Sequence, residues 1–278
     1  MWIGVATPQE EGRLYRLARV FYALRLAIAA LDDYYDQISK DEQIPKLVDN
    51  EPHPRLFPYP TEFEEYTPNS SETAQSSPIR FKYINFPSTA DTNVTFIAKV
   101  ESQNRELVVK FVERYGVEAH DLLASKGMAP RLLYCGHPDG KHDVRSDESR
   151  AQGSIKTGGL YVGPIQMVIM EYIKGTTLDA RKNPPKDTHA EIQLAIGILH
   201  ESGFVFGDLR APNIMISEDK PYLIDFDWSG REGEVRYPLH LSKNVDWPEE
   251  PLQLELKLIL KDHDLIMLDK LFGSPVGR

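Results

Sequence analysis

The chain has 278 residues, 41% of them hydrophobic and 27% charged, so it can form one two-lobed globular domain or a domain with an appendage. Its net charge of −10 excludes a general binder of nucleic acid or anionic membranes, because either function needs a basic face. The single cysteine, Cys135, excludes an intrachain disulfide and a thiolate zinc site.

The sequence also bears on cellular location. No uninterrupted apolar run approaches the roughly 18 residues that a membrane span needs. The N-terminus shows no basic segment followed by an uncharged apolar one, and one lone cysteine fits a reducing compartment. We therefore expect a cytoplasmic or nuclear protein, with neither a membrane nor a nucleic acid as its partner.

Residues 10–40 are predicted to form a long helix. Neither proline nor glycine interrupts the stretch from Arg13 to Ser39, and apolar residues recur mostly at spacings of three and four. We expect this apolar stripe to pack against the domain; the alternative is a docking or dimerisation helix. Membrane association is disfavoured because Asp32, Asp33 and Asp36 would face anionic lipid.

The composition then changes from residue 51 to residue 78. This stretch is first rich in proline with inserted aromatic residues and then mostly Ser, Thr, Asn, Glu and Gln. Such a segment buries too little apolar surface to fix its backbone. We therefore predict a partly disordered linker between an N-terminal helical extension (1–50) and a domain at 79–278.

The domain itself begins with strands. Runs rich in β-branched and aromatic residues, separated by turn residues, predict an antiparallel meander followed by a helix, two more strands, a second helix and a final helix. Strands with one helix thus come first, and helices with a short hairpin follow. This segregated order predicts an α+β fold with two lobes. The predicted elements are strands at 81–86, 93–100, 106–112, 131–135 and 166–173 and helices at 117–126, 189–202 and 252–272.

Three polar side chains follow the second of these helices at short spacings. Asp208 stands five residues before Asn213, and Asp225 comes twelve residues later at the end of an apolar run. Asp208 can accept a proton from an attacking hydroxyl, while Asn213 and Asp225 offer oxygen ligands to magnesium held on the phosphates of a nucleotide. The spacing therefore predicts a phosphoryl-transfer site.

With these motifs, residues Phe81 to Leu241 resemble the protein kinase superfamily. The segments Gly-Asp-Leu-Arg-Ala-Pro-Asn-Ile and Ile-Asp-Phe-Asp-Trp are similar to those of a group of compact kinase-like proteins abundant in fungi. The resemblance implies an antiparallel N-lobe sheet at about 79–170 and a reduced, mostly helical C-lobe at about 174–278. The N-terminal helix would then be an addition to that fold.

The resemblance also implies roles for individual residues, with ATP and Mg²⁺ as cofactors. Lys110, on the predicted third N-lobe strand, would contact the α- and β-phosphates, and Glu118 would be its ion-pair partner. Met170 would line the back of the adenine pocket. The backbone groups of Glu171 and Ile173 would hydrogen-bond the adenine. Asp208 would be the catalytic base.

Three departures from the family pattern stand out. Residues 87–92 replace the glycine-rich loop and contain no glycine, so the backbone amides of Ser88 and Thr89 would have to meet the phosphates. Phe206-Gly207 replaces the His-Arg that usually precedes the catalytic Asp, which removes the Arg that grips a phosphorylated activation loop. Asp227 replaces the glycine of Asp-Phe-Gly, where it would add a metal ligand or stiffen the turn.

The interpretation that these residues favour is an ATP- and Mg²⁺-dependent phosphotransferase acting on protein Ser or Thr. Arg210 would then stabilise the transferring phosphoryl group. One alternative is a small-molecule kinase resembling aminoglycoside and choline phosphotransferases. Like those enzymes, this sequence has no Ala-Pro-Glu triplet after Trp228, where protein kinases carry one. The other is a pseudokinase that binds a nucleotide without turnover, which the glycine-free loop and the short C-lobe favour.

Overall fold

A computed structural model describes residues 8–40, 60–67, 77–85, 95–146 and 165–273. The chain divides into two compact units, one at 1–59 and the other at 60–278. The first unit contributes one helix to the described residues, and the second contains both lobes of the domain. The predicted Ser/Thr-rich half of the linker and the glycine-free loop at 87–92 lie outside the described ranges.

Helix α1 (Pro8–Lys40) confirms the long helix predicted near the N-terminus. Its residues form good helical turns because straight-chain residues and alanines dominate the sequence. The side chains described along it are exposed, and they include large apolar ones such as Phe21 and Leu24. No helix in the described part of the chain is long and apolar enough to cross a membrane.

The N-terminal lobe is built on a six-stranded sheet in the order β1-β2-β3-β4-β6-β5. Every neighbouring pair is antiparallel. Leu107 and Val109 of β4 are fully buried, because alternate residues of a strand point to the same face of the sheet. The α+β fold class and the antiparallel N-lobe are thus as predicted. The strands are β1 (Glu62–Phe63), β2 (Ile79–Asn85), β3 (Thr95–Val100), β4 (Glu106–Val112), β5 (Leu132–Gly136) and β6 (Gln166–Glu171).

The predicted linker at 51–78 is wrong for its central part. Strand β1 pairs with β2, and Phe63 is 1% exposed in a cluster with Phe81 and Tyr134, whose ring centroids lie 6.1 and 6.2 Å from its own. The Tyr66 amide also donates to the Leu133 carbonyl at 2.9 Å. The aromatic residues inserted among the prolines therefore supply the buried apolar surface that the composition as a whole lacks.

In its described residues, the C-terminal lobe combines helices with short strands that form one three-stranded and one two-stranded sheet. Helix α2 (Val117–Ser125) connects β4 to β5, and α3 (Thr188–Glu201) buries Ile192, Ala195, Ile196 and Leu199 on one face, which is the period of an amphipathic helix. Both helices are as predicted. The remaining elements are β7 (Thr176–Thr177), β8 (Phe204–Val205), β9 (Ile214–Ser217), β10 (Lys220–Leu223), β11 (Gly230–Arg231), α4 (Pro251–Leu254) and α5 (Lys261–Phe272).

The single final helix predicted at 252–272 is wrong, because the structure breaks it into α4 and α5. Between them, the Leu256 amide donates to the Tyr237 carbonyl, and the Ile259 amide donates to the Val235 carbonyl at 2.9 Å. Leu256 also has a φ of 61°, which ends the helical path. Pairing with residues 235–237 thus takes the place of helical hydrogen bonds, and it buries Ile259 completely.

We expect Phe63→Ala to lower the free energy of unfolding by about 3–5 kcal/mol, because it removes a buried ring and leaves a cavity. Urea unfolding of the full chain measures this change. Ile84→Ala is the matched control on the neighbouring strand β2, since its side chain is 49% exposed, and its effect should be within about 0.5 kcal/mol. Equal effects of the two variants would contradict the placement of residues 60–67 in the core.

Candidate functional site

Lys110 lies on β4 between two carboxylates of the segment that comes after β10. Its Nζ donates to Asp225 Oδ1 and to Asp227 Oδ1, both at 2.7 Å, and its side chain is 11% exposed. Burial alone would lower the pKa of Lys110, but the two carboxylates more than offset that effect and raise it. The lysine is therefore held as an ammonium ion beside the predicted metal ligand.

The predicted ion pair between Lys110 and Glu118 is wrong in this structure. The Glu118 side chain is 62% exposed, and its Oε1 accepts a hydrogen bond from Arg231 at 2.9 Å. Asp227, which is close and largely shielded from water, takes the partner role instead. A carboxylate at this distance with little water around it interacts with an ammonium more strongly than one at the exposed start of α2.

The turn that carries these carboxylates is held from both sides. Asp225 has a φ of 68°, a left-handed conformation that Asp tolerates better than most residues and that often marks functional sites. The Phe226 ring is fully buried and stacks on the His120 ring at a centroid distance of 4.4 Å. The Phe226 carbonyl accepts a hydrogen bond from the Gly116 amide at 2.9 Å. Phe226 thus anchors the turn beneath helix α2.

Ionisation of Asp227 is disfavoured by its surroundings. Burial raises its pKa to about 7, the charge of Asp225 adds to the rise, and Lys110 opposes it. With both carboxylates ionised, the three side chains carry one net negative charge. That excess charge favours a cation at this place in the site.

Asp208 is buried in the loop after β8, and its neighbours hold its carboxylate. Arg210 donates from Nε to Oδ1 and from one terminal nitrogen to Oδ2, the latter at 2.6 Å, while Asn213 Nδ2 donates to Oδ2 at 2.9 Å. Burial raises the pKa of Asp208, the Asp225 charge adds to the rise, and the Arg210 and Asn213 hydrogen bonds oppose it. Three donors leave one lone-pair site of an ionised carboxylate for an incoming hydroxyl.

Arg210 is placed to orient Asp208 as well as to meet a phosphate. Its guanidinium lies 5.4 Å from the Trp247 ring centroid, which fixes the plane of the group. Two of its five N–H donors are committed to Asp208, so others remain for an anionic ligand. The predicted contact with a phosphoryl group stays a prediction.

The donor set fits magnesium only with help from a nucleotide. Among the described residues, no three His, Cys, Asp or Glu side chains lie close enough to form a metal site by themselves. The Asn213 amide nitrogen is bonded to Asp208, which leaves its oxygen as the available ligand, and Asp225 supplies a carboxylate. Mg²⁺ is commonly held by one or two carboxylates plus substrate phosphates, so these two residues suit a metal that arrives with its nucleotide.

Asp264, on α5, is a site residue for which the sequence predicts no catalytic role. It is 0% exposed, and its two oxygens accept hydrogen bonds from the backbone amides of Phe206 and Gly207, both at 2.8 Å. His200 Nε2 lies 3.0 Å from the same carboxylate. Gly207 has a φ of 85°, and a Cβ there would lie 3.0 Å from Ile259 Cδ1. Glycine and the buried carboxylate together explain how Phe206-Gly207 can precede Asp208, the predicted catalytic base.

The predicted adenine-binding segment begins at the end of β6. Met170 is 5% exposed and pairs with Val108 of β4. Its predicted position at the back of an adenine pocket stays a prediction. The Glu171 amide donates to the Arg131 carbonyl at 3.0 Å, which leaves the Glu171 carbonyl and the Ile173 amide as the predicted adenine contacts. Ser88 and Thr89 lie outside the described residues.

A closed ring of four charges holds this segment. Glu171 accepts hydrogen bonds from Arg105 at 3.3 Å and from Arg131 at 3.1 Å, and Glu65 accepts from the same two arginines at 3.0 and 2.8 Å. Charges that alternate in a network are worth more than isolated surface pairs. The segment at 60–67 is thereby tied to the predicted adenine-binding backbone.

Comparison with known proteins finds local similarity to kinases, and no family model matches the chain. A segment is 40% identical over 87 residues to the KEOPS complex subunit Bud32 of Pyrococcus abyssi, covering 28% of this chain and 40% of that protein. Another match is 41% identical over 80 residues to the serine/threonine-protein kinase PknG of Mycolicibacterium smegmatis, covering 27% of this chain and 10% of that protein.

The chain therefore spans less than half of each of these two relatives. A solved structure of vaccinia related kinase 3 overlaps loosely, with a TM-score of 0.41 and 16% identity over 69% of this chain and 63% of that one. Over a little more than a quarter of its length, the chain is thus similar to Bud32 and to the kinase PknG.

We expect Asp264→Ala to lower the free energy of unfolding by about 2–5 kcal/mol, because two buried N–H groups lose their acceptor. Urea unfolding measures the change. Asp262→Ala is the matched control, because Asp262 lies on the same helix but is exposed. Its loss should cost less than about 1 kcal/mol. An Asp264 variant as stable as the Asp262 variant would contradict the anchoring role.

A second prediction concerns pH. Because folding raises the pKa of Asp227 from 3.8 to about 7, the native state holds a proton there that the unfolded chain releases. Ionisation of Asp227 therefore costs native stability as pH rises from about 4 to about 7, and the full loss is present above that window. Asparagine at this position does not titrate, so the free energy of unfolding of Asp227→Asn should rise relative to that of the parent between about pH 4 and pH 7. A difference that urea unfolding finds constant over this range would argue against the raised pKa.

Proposed function

We propose that this chain binds a magnesium–ATP complex and transfers the γ-phosphate to a hydroxyl, as a protein Ser/Thr kinase-like phosphotransferase. The observation that carries the proposal is the 2.7 Å contact of Lys110 with Asp225, which is 115 residues away in the sequence. Asp225 also lies close enough to Asp208, which is bonded to Asn213, for its charge to raise the pKa of Asp208. PknG, to which the chain is locally similar, is a serine/threonine-protein kinase, and this similarity supports the same reaction class.

Each of these groups has a chemical task in that reaction. Lys110 would give up its ion pair with one of the two carboxylates and contact the phosphates instead. Asn213 and Asp225 would supply the protein oxygens around magnesium. The metal would supply neutralisation of the phosphate charge. Asp208, whose burial raises its pKa, would accept the proton of the attacking hydroxyl. Arg210 would keep that carboxylate oriented and offer its remaining donors to the transferring group.

The second candidate is a nucleotide-binding module without turnover, and one observation favours it. Lys110 is paired with two carboxylates at 2.7 Å, so a nucleotide must compete for the ammonium. Magnesium would ease this competition, because it attracts Asp225 away from the lysine. The two candidates thus share a metal-dependent nucleotide site, and they differ in whether the bound nucleotide gives up its γ-phosphate.

Thermal-shift titration with ATP tests the shared part. We expect stabilisation that requires magnesium and that Asp225→Asn abolishes, since a ligand at a hundred times its Kd stabilises the native state by about 2.7 kcal/mol. Glu118→Gln is the matched control and should keep the shift, because Glu118 contacts Arg231 rather than Lys110. The absence of any shift at millimolar ATP in the parent would overturn both candidates.

Transfer of labelled γ-phosphate separates the candidates. The parent should label a hydroxyl acceptor, and Asp208→Asn should lose roughly 10²–10⁴-fold in rate while it still binds nucleotide, because only proton transfer is affected. Protein mixtures and small alcohols, amino sugars included, are offered in parallel to identify the acceptor class. Binding without transfer to any acceptor would support the nucleotide-binding module.

A further inference from the structure

The apolar residues of helix α1 are spaced more regularly than is necessary for a helix that only packs one face against its own domain. Apolar residues alternate at spacings of three and four along it, which is the a and d pattern of a heptad repeat. The six described positions of this seam are Leu17, Phe21, Leu24, Ile28, Leu31 and Tyr35. In the sequence the pattern continues to Leu14 on one side and Ile38 on the other. A seam of this length is typical of a coiled coil, in which each apolar residue inserts between residues of a facing helix.

The side chains of this seam are exposed. The exposed fractions are 53% for Leu17, 62% for Phe21, 53% for Leu24, 50% for Ile28 and 52% for Leu31. Contiguous apolar surface of this kind usually marks an interaction site. A seam with this heptad spacing calls for a second helix as its partner.

We propose that α1 pairs with α1 of a second copy of this chain as an antiparallel coiled coil. The basic half of the helix, with arginines at 13, 16, 19 and 25, precedes an acidic half with Asp32, Asp33 and Asp36. Antiparallel pairing of two copies brings the basic half of each against the acidic half of the other. Parallel pairing would place the two basic halves at one end of the coiled coil and the two acidic halves at the other.

The seam also selects a register. When Leu24 of one copy packs against Ile28 of the other, Phe21 meets Leu31 and Leu17 meets Tyr35, so every apolar seam residue has an apolar partner. The same register places Arg25 near Asp32 of the second copy, and symmetry repeats this pair. Shifting the pairing by one heptad brings Arg25 of one copy against Arg25 of the other and leaves the end of the seam unpaired.

The positions that flank the seam agree with the antiparallel orientation. On one side they are Val20 and Ala27, and on the other side they are Arg25 and Asp32. In an antiparallel pair each side meets its own equivalent, so apolar meets apolar and charge meets opposite charge. In a parallel pair the two sides meet each other, and Arg25 and Asp32 would lie against Val20 and Ala27.

Sedimentation velocity of the full chain at micromolar concentration tests the pairing. We expect a dimer that Leu24→Glu and Ile28→Glu each convert to a monomer, because either change places charges in the central layer. Leu26→Glu is the matched control: Leu26 is 50% exposed on the same helix but lies outside the seam, so this variant should remain dimeric. Leucine and glutamate have similar helix propensities, and circular dichroism confirms that α1 persists. A monomeric parent, in which α1 packs on its own domain, would overturn the proposal.

Disulfide cross-linking tests the orientation. Cys135 is buried, so cysteines introduced as Phe21→Cys and Leu31→Cys report on α1. These positions lie about 15 Å apart along the helix. We expect cross-links when the two variants are mixed and few in either variant alone. Cross-links within each single variant would show parallel pairing and overturn the proposal.

Charge exchange tests the register. Arg25→Asp and Asp32→Arg should each weaken the dimer roughly tenfold, since two pairs per dimer become repulsive, and the double exchange should restore it. If the double variant is as weak as the singles, Arg25 does not meet Asp32 of the second copy and the register is wrong.

Discussion

The buried carboxylate of Asp264 holds in place the loop on which the rest of the site depends. It accepts the backbone amides of Phe206 and Gly207, directly before Asp208. A carboxylate that accepts several backbone N–H groups in a dry interior is a rigid anchor, because the alternative is to leave those donors unsatisfied. The position of Asp208, the predicted catalytic base, is thus set by a residue of helix α5.

A second consequence concerns how Lys110 is held. In the family pattern a glutamate of the helix after β4 would hold it, whereas here Asp227 does so. Lys110 and Asp225, the predicted metal ligand, are therefore coupled through one short segment. Any motion of the Asp225–Asp227 turn changes both at once, and helix α2 is left to bind Arg231 through Glu118.

Much of the site could be predicted because its signals are short-range. Asp208, Asn213 and the alternating strands are apparent from spacing within a few residues. Asp264 could not be found in this way, because it is 57 residues from Gly207 and its role exists only after α5 packs beside β8. The break between α4 and α5 likewise depends on pairing with residues 235–237, a tertiary contact that overrides helix propensity.

The ring of Glu65, Arg105, Arg131 and Glu171 also decides where the domain can be trimmed. A fragment starting at residue 79, the predicted first strand, would uncover Phe81 by removing Phe63, and it would leave both arginines with half of their partners. The smallest self-sufficient unit therefore begins near Pro60, which coincides with the boundary of the compact second unit.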